Sequence, residues 1–147
     1  MPVKVILDSN FLMIPFQFNI DIFQEIEYLL QKKVDFVVPS AVKSELTGIS
    51  TRGGEGASEA SLALQIASRC RVVEVALEPQ ETVDDAIVKA SQKMGAVVAT
   101  TDIELKKRLR SPPVSGSPDA GIWHPIPVIF MRGKGKLEIE GLDREYI

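Results

Sequence analysis

The 147-residue sequence has few of the residues that build disulfides or histidine metal sites. It contains one cysteine, Cys70, and one histidine, His124. A single cysteine excludes an internal disulfide and is typical of a reducing compartment, so we expect a cytoplasmic protein. At the start of an apolar strand, Cys70 is interpreted as a small buried residue rather than a nucleophile. A single histidine excludes a metal site built from several imidazoles.

Long hydrophobic runs are also missing. No segment approaches the roughly 18 consecutive apolar residues of a membrane span, and the first residues, with Lys4 and Asp8, lack the pattern of a secretory signal. We therefore expect no membrane partner. The hydrophobic content of 45% is ordinary for a globular chain. Because the length suits one domain better than two, we predict a single domain over residues 1–147.

Apolar runs alternate with amphipathic stretches along the chain. VKVIL at residues 3–7 has no polar face, which is typical of a strand covered on both sides. We predict strands over 3–7, 35–39, 70–77, 96–100, 127–132 and 136–140, and helices over 21–33, 41–48, 61–69, 82–94 and 103–110. The last two strands are expected to form a hairpin across GKG. This alternation predicts a three-layer α/β/α domain with a parallel sheet.

Several helix ends are predicted from single residues. Ser40 is expected to N-cap the helix that Gly48 ends, and residues 50–58, rich in Gly and Ser, are expected to form a flexible loop. Thr82 is expected to begin a helix that closes at Gly95.

Four acidic residues stand where the predicted elements meet one edge of the sheet. Asp8 and Asp102 follow strands, Glu45 lies about one turn into a helix, and Asp84 lies in the first turn of another, beside Asp85. Ligands of such sheets bind beyond the carboxyl ends of the strands. Two carboxylates about 4 Å apart repel by roughly 1 kcal/mol in water and about 4 kcal/mol at an effective dielectric of 20. A divalent ion such as Mg²⁺ or Mn²⁺, which prefers carboxylate oxygens, would remove this conflict.

Each acid also has a purely structural interpretation. Asp8 and Asp102 are each placed to cap the segment that follows, and Glu45 alone is typical of an exposed helix position. Asp85 comes three residues after Thr82, the spacing of a capping box. We therefore favour capping for Asp85 and metal binding for Asp84, with Asp85 as the alternative ligand.

Five segments together resemble a known family over nearly the whole chain. LDSNFL, PSAVKSEL, DDAIVKAS, VVATTDIELKKRL and PVIFMR resemble, in order and spacing, the PIN-domain nucleases. The resemblance extends to archaeal PIN proteins near the small-subunit processome endonucleases and to the VapC toxins. It implies a Rossmann-like parallel sheet and an acidic site that binds Mg²⁺ or Mn²⁺ and cleaves single-stranded RNA.

The resemblance also implies roles for individual residues. It assigns metal binding and catalysis to Asp8, Glu45, Asp84 and Asp102. Ser9 and Asn10 fall in the family's Asp-Ser/Thr-Asn stretch and, with Thr101, are expected to support the site. The biological role implied is ribosomal RNA processing or VapC-type toxicity, with an antitoxin or ribosome-assembly proteins as partners and a homodimer as the expected assembly.

RNA as a substrate has to be reconciled with a net charge of −3, which does not favour nucleic acid. The cations are clustered, however, in a run after Asp102 and around the last predicted turn, and such patches attract phosphates despite overall acidity. The candidate RNA-binding residues are Lys106, Lys107, Arg110 and Arg132. The alternative for the run is a solvated helix face.

One segment departs from the family pattern. Residues 111–125, rich in Ser, Pro and Gly, are predicted to form a long surface loop, longer than the connection usual in the family. We interpret it as an insertion that gates RNA or holds a partner. Trp123 and His124 lie beside it, where they either stack on bases or, as we favour, anchor the loop by packing.

Two other functions compete with an active nuclease. The first is a non-catalytic PIN-like module that binds RNA or serves as a scaffold in a ribosome-assembly complex. The second, a receiver-type phosphotransfer domain, is disfavoured because the strand at 35–39 ends in Pro39 and Ser40 without the required acid.

Overall fold

A computed structural model describes residues 2–112 and 123–142 of the chain. Within these residues the chain forms six strands and seven helices. In chain order they are β1 (Val3–Leu7), α1 (Ser9–Leu12), α2 (Ile14–Phe18), α3 (Ile22–Leu30), β2 (Val34–Pro39), α4 (Ser40–Arg52), α5 (Ala57–Ala67), β3 (Arg71–Val73), α6 (Val83–Met94), β4 (Val97–Ala99), α7 (Ile103–Arg110), β5 (Val128–Arg132) and β6 (Lys136–Glu140).

The strands form one mixed sheet in the order β3-β2-β1-β4-β5-β6. β1 pairs in parallel with β2 on one side and β4 on the other, and β6 pairs antiparallel with β5 as the predicted hairpin. The chain builds the sheet outwards from β1 to β3 and then returns to the opposite side of β1 with β4. The carboxyl ends of β1 and β4 therefore flank the point where the strand order reverses, the usual ligand position in such sheets.

Both faces of the central strand are covered. Val5, Ile6 and Leu7 are all fully buried, and successive strand residues point to opposite faces. The packing of α6 against β1, β2 and β4, and of α3 against β2 and β6, supplies this cover. The predicted α/β fold is confirmed, with one antiparallel edge strand added to an otherwise parallel sheet.

The start and end of α4 differ from the prediction. Pro39, not Ser40, is the N-cap residue, and Ser40 is the first helical residue, whose hydroxyl donates to Glu74 Oε2 (3.1 Å). The helix continues through Gly48 and ends at Gly53, which has a φ of 72°. An interior glycine costs about 1 kcal/mol, but α4 packs along α5 through fully buried side chains, and this packing offsets the cost. The predicted loop over 50–58 shrinks to the short connection between these helices.

Other boundaries follow from pairing and capping. β3 is shorter than the predicted strand because its neighbour β2 ends at Pro39, which pairs with Val73, so residues beyond have no partner strand. Thr82 caps α6 through a complete capping box with Asp85, as predicted, and Gly95 ends the helix in the left-handed region. Helices α1 and α2 were not predicted.

Two further expectations concern the chain as a whole. The predicted loop over 111–125 falls mainly on residues 113–122, which lie outside the described residues. Across 2–112 and 123–142, no helix is both long enough and apolar enough to pass through a membrane. A single domain over the full length stays a prediction.

Candidate functional site

Asp8 lies at the centre of the site, immediately after β1. Its side chain is buried and is held by three donors. Oδ1 accepts from the Ser9 backbone N–H (2.8 Å), and Oδ2 accepts from the Thr100 hydroxyl (2.7 Å) and from Asn10 Nδ2 (3.2 Å). Asp8 also N-caps α1, which confirms its structural interpretation, while metal binding by Asp8 stays a prediction. These bonds fix the direction of the carboxylate.

Asn10 joins the ends of the two central strands. While its Nδ2 donates to Asp8, its Oδ1 accepts from the Thr101 backbone N–H (3.0 Å). Ser9 and Thr101 thus contribute backbone amides to this network, and the Thr101 residue itself is exposed. The three residues predicted to support the site all lie at the junction of β1 and β4.

Thr100, for which the sequence predicted no role, links Asp8 to Asp102. It is fully buried, and its hydroxyl donates to Asp8 Oδ2 while accepting from the Asp102 backbone N–H (3.1 Å). A hydroxyl two residues before an acid commonly closes such a local turn. That signal was hidden because a β-branched residue also extends the apolar strand.

Asp102 begins α7 and caps it. Its Oδ1 accepts from the backbone N–H groups of Glu104 (2.9 Å) and Leu105 (3.2 Å). Within the described residues, Oδ2 accepts no hydrogen bond. The capping interpretation of Asp102 is therefore confirmed, and it still leaves one carboxylate oxygen for a ligand.

The four acids influence one another electrostatically. Burial raises the pKa of Asp8 above 3.8; hydrogen bonds from Thr100 and Ser9 oppose the rise, and the charges of Glu45 and Asp102 add to it. Burial likewise raises the pKa of Asp84 above 3.8, and the charges of Asp8 and Asp102 raise it further. Carboxylates from four separate elements therefore share one field at the reversal point of the sheet.

The neighbours Asp84 and Asp85 have different surroundings. Asp85 Oδ2 accepts from the Thr82 backbone N–H (2.7 Å), and Oδ1 accepts from Arg108 Nη2 (2.6 Å). The Thr82 hydrogen bond and the Arg108 charge hold the pKa of Asp85 below 3.8. In the described part of the chain, by contrast, no hydrogen bond or ion pair engages the Asp84 carboxylate. Both oxygens of Asp85 are occupied, and those of Asp84 are available.

Comparison with known proteins identifies the family. A family model described as "PIN like domain" matches residues 5–116. The chain belongs to the PIN-like domain family. It is 29% identical over 141 residues to "Ribonuclease VapC4" of Methanocaldococcus jannaschii, covering 95% of this chain and 98% of that protein.

Solved structures agree with this PIN-like assignment. The structure of "the PIN domain endonuclease Utp24" is similar with a TM-score of 0.71 and 27% identity, covering 96% of this chain and 93% of that one. A domain of a functionally unknown protein from Methanocaldococcus jannaschii, 18% identical with a TM-score of 0.58 and coverage of 96% and 99%, shares the fold.

The side chains of the acidic site of this PIN-like domain are of the kind that binds a hard divalent cation. All four acids offer carboxylate oxygens, the ligands that Mg²⁺ and Mn²⁺ prefer. Within residues 2–112 and 123–142, no three acidic, cysteine or histidine side chains form a ready-made metal-binding group. In the same residues, the carboxylates of Glu45 and Asp84 have no hydrogen-bond or ion-pair partner. Burial is the main cause of the raised pKa values of Asp8 and Asp84, and a cation would relieve the repulsion between acids that adds to it.

Three of the four predicted RNA-binding cations of this domain contact acids on β6. Lys106 and Arg110 pair with Glu140 (3.1 and 3.5 Å), and Arg132 pairs with Glu138 (2.6 Å). The fourth cation, Lys107, is 68% exposed and pairs with Glu104 one turn away (3.6 Å). RNA binding by these residues stays a prediction, and three of them already have protein partners.

The backbone of His124 is hydrogen-bonded to α6 through the side chain of Gln92. Gln92 Nε2 donates to the His124 carbonyl (2.6 Å), and the His124 backbone N–H donates to Gln92 Oε1 (3.0 Å). These two hydrogen bonds hold the backbone at His124 against α6, and anchoring of the loop by packing of the Trp123 and His124 side chains stays a prediction. Elsewhere, burial raises the pKa of the Cys70 thiol to about 11, which leaves little thiolate for nucleophilic chemistry.

Replacement of Thr100 by valine is expected to destabilise the domain by roughly 1–3 kcal/mol, because it removes a buried donor to Asp8 and a buried acceptor from Asp102. Urea unfolding measures the change. Thr101→Val is the matched control: among the residues that the structure describes, Thr101 makes a hydrogen bond through its backbone amide and none through its hydroxyl, so we expect a change within about 0.5 kcal/mol. Equal losses for the two variants would contradict the role given to the Thr100 hydroxyl.

Proposed function

We propose that this PIN-like domain is a divalent-metal-dependent endoribonuclease that hydrolyses phosphodiester bonds of single-stranded RNA. The observation that carries the proposal is the shared electrostatic field of Asp8, Glu45, Asp84 and Asp102, since such a cluster is costly without a cation. The similarity to proteins named as a ribonuclease and as an endonuclease supports the same function.

In this proposal Asp8, Glu45, Asp84 and Asp102 hold Mg²⁺ or Mn²⁺, and Asp85 serves α6 as a capping residue. The ion, when bound, supplies Lewis acidity toward the phosphate and lowers the pKa of a water. Asp8 provides a fixed carboxylate because three donors orient it. Asp102 offers its second oxygen while the first caps α7. Glu45 and Asp84, which lack partners in the described residues, are free to turn toward the ion.

The same acids determine how the domain treats its substrate. Without a cation, the negative field of these acids repels the RNA backbone from the point between β1 and β4 where the strand order reverses. With a cation bound, the field reverses locally and the phosphate can approach. The chain thereby makes close approach of the scissile phosphate dependent on metal, whereas phosphates beyond the acidic site can bind without it.

A manganese titration followed by thermal unfolding tests the proposal. At about 100 times the dissociation constant, the ion should stabilise the domain by about 2.7 kcal/mol, or roughly 5–10 °C. Asp8→Asn should erase this gain. Asp35→Asn, which removes the same charge from a residue ion-paired with Arg71 on the neighbouring strands, should preserve it. A wild-type chain that does not respond to Mn²⁺ or Mg²⁺ would contradict the metal site.

The alternative is a non-catalytic PIN-like module that binds RNA or serves as a scaffold in a ribosome-assembly complex. The observation in its favour is that the described residues hold no ready-made group of three metal ligands. This alternative predicts RNA binding without cleavage and without stabilisation by metal, so the titration separates the two.

The resemblance of the sequence to VapC toxins and processome endonucleases implies two biological roles for the enzyme, toxin and ribosomal RNA processing, and the similarity to proteins named as a ribonuclease and an endonuclease is compatible with both. As a toxin, the domain would bind an antitoxin encoded by a neighbouring gene. In RNA processing, it would act with ribosome-assembly proteins. We propose a cytoplasmic location and a homodimer in either role, and the gene neighbourhood discriminates between the two.

A further inference from the structure

Arg108 lies in the last turn of α7 and reaches back to the acidic site. It comes six residues after Asp102, about 9 Å along the helix axis. Helical side chains lean toward the N-terminus of their helix, here toward the site. Accordingly, Arg108 Nη2 donates to Asp85 Oδ1 (2.6 Å) in the first turn of α6. The guanidinium is therefore held next to Asp84.

Within residues 2–112 and 123–142, the Arg108 guanidinium donates one side-chain hydrogen bond and keeps its other donors. Arginine has five N–H donors in a planar fork, and Asp85 Oδ1 takes a donor from Nη2 only. The side chain is 48% exposed, so the remaining donors can meet a ligand from solvent. Its charge also reaches the site, because it opposes the rise in the pKa of Asp84.

The neighbouring cations are directed elsewhere. Lys106 Nζ lies 3.8 Å from the centre of the Phe130 ring, and Lys106 also pairs with Glu140. Arg110 pairs with the same Glu140 and donates to the Ile126 carbonyl (3.2 Å). These contacts attach α7 to β5 and β6. Of the cluster after Asp102, Arg108 is the member that contacts the element carrying Asp84.

We propose that Arg108 binds a phosphate of the RNA strand beside the acidic site. The inference rests on the proposed function for its substrate class. A planar fork matches a phosphate in two-point geometry, and its positive charge compensates for the acids that the strand must pass. Asp85 acts as a positioning residue, because its fixed carboxylate holds the guanidinium at the rim of the site.

The test is the affinity of the full chain for a fluorescein-labelled single-stranded RNA, measured at several salt concentrations in the Asp8→Asn background. Adding Arg108→Ala should weaken binding roughly tenfold. It should also make the plot of log affinity against log salt less steep, by about 0.7 in the magnitude of the slope, which is the value for one phosphate contact on a single strand. Arg108→Lys should keep the slope, because the charge remains, and lose part of the affinity.

Two controls separate a phosphate contact from a structural tie. Arg71→Ala removes an arginine of equal exposure (49%) that is ion-paired at 2.7 Å with Asp35, and it should leave affinity and slope unchanged. Asp85→Asn weakens the ion pair but keeps the guanidinium, so the slope should persist. An unchanged slope for Arg108→Ala, or an equal fall in the slope for Arg71→Ala or Asp85→Asn, overturns the proposal, whereas a partial loss of affinity in Asp85→Asn with the slope kept fits the positioning role of Asp85.

The outcomes also distinguish this inference from the proposed function. Cleavage of RNA by the unmutated chain with Mn²⁺, together with binding that does not depend on Arg108, refutes the Arg108 contact alone. Binding that depends on Arg108 without cleavage refutes the nuclease and keeps the contact. Absence of both binding and cleavage refutes both.

Discussion

Asp8→Asn is expected to lower the rate of single-stranded RNA cleavage by roughly a hundredfold to a thousandfold. Loss of a carboxylate that holds the cation removes several kcal/mol of charge stabilisation from the reaction, and each 1.36 kcal/mol is a factor of ten. The chain should nevertheless fold, with some loss of stability: burial already disfavours the charged form of Asp8, but the amide gives up one of the two oxygens that accept its three hydrogen bonds. Cleavage of end-labelled RNA with Mn²⁺ and thermal unfolding in a chelator measure the two effects.

Asp35→Asn is the control for the lost charge. Asp35 lies on β2 and pairs with Arg71 on β3 (2.7 Å), near the starts of these strands and therefore away from the carboxyl edge. Cleavage by this variant should stay within about twofold of wild type, since its acid takes no part in the site. If Asp8→Asn cleaved RNA at the wild-type rate and Asp35→Asn did too, the catalytic assignment of Asp8 would be refuted.

The adjacent acids Asp84 and Asp85 should respond in opposite ways to the same substitution. Asp84→Asn is expected to lower cleavage by roughly a hundredfold or more with little loss of stability, because its carboxylate has no partner in the described residues. Asp85→Asn is expected to cost roughly 1 kcal/mol by weakening the capping box and the ion pair with Arg108. The melting temperature would fall by about 2–4 °C, and cleavage would persist.

The pair is internally matched, because both variants remove one charge from the first turn of the same helix. Cleavage and thermal unfolding are measured side by side on the two proteins. If Asp85→Asn lost cleavage while Asp84→Asn stayed active, Asp85 rather than Asp84 would be the metal ligand. Equal loss in both would indicate that the two acids act together as ligands.

The strands, the helices and several caps were predictable because their signals are local. The run VKVIL lacks a polar face, and β1 is covered on both sides. The spacing of Thr82 and Asp85 predicted the capping box that the structure contains. The positions of Asp8 and Asp102 after apolar runs placed them at one edge of a parallel sheet, where both lie.

The errors came from longer-range packing. Gly48 should end a helix considered alone, yet α4 continues because α5 packs along it. Thr100 resembled a strand residue because its partner Asp8 lies 92 positions away. The cations after Asp102 formed one basic run in the sequence, whereas in the structure Lys106 and Arg110 contact β6 and Arg108 contacts α6.

By itself, the sequence determined the order of the elements and the place of each acid at an element's end, since periodicity and capping act between residues a few positions apart. Only the tertiary structure decided which acids share a field, which carboxylate oxygens remain available and which cation stands beside them. The physical reason is that charges and buried hydrogen bonds depend on distances set by strand order. That order placed β4 beside β1 although Val97 lies 89 positions after Asp8 in the chain.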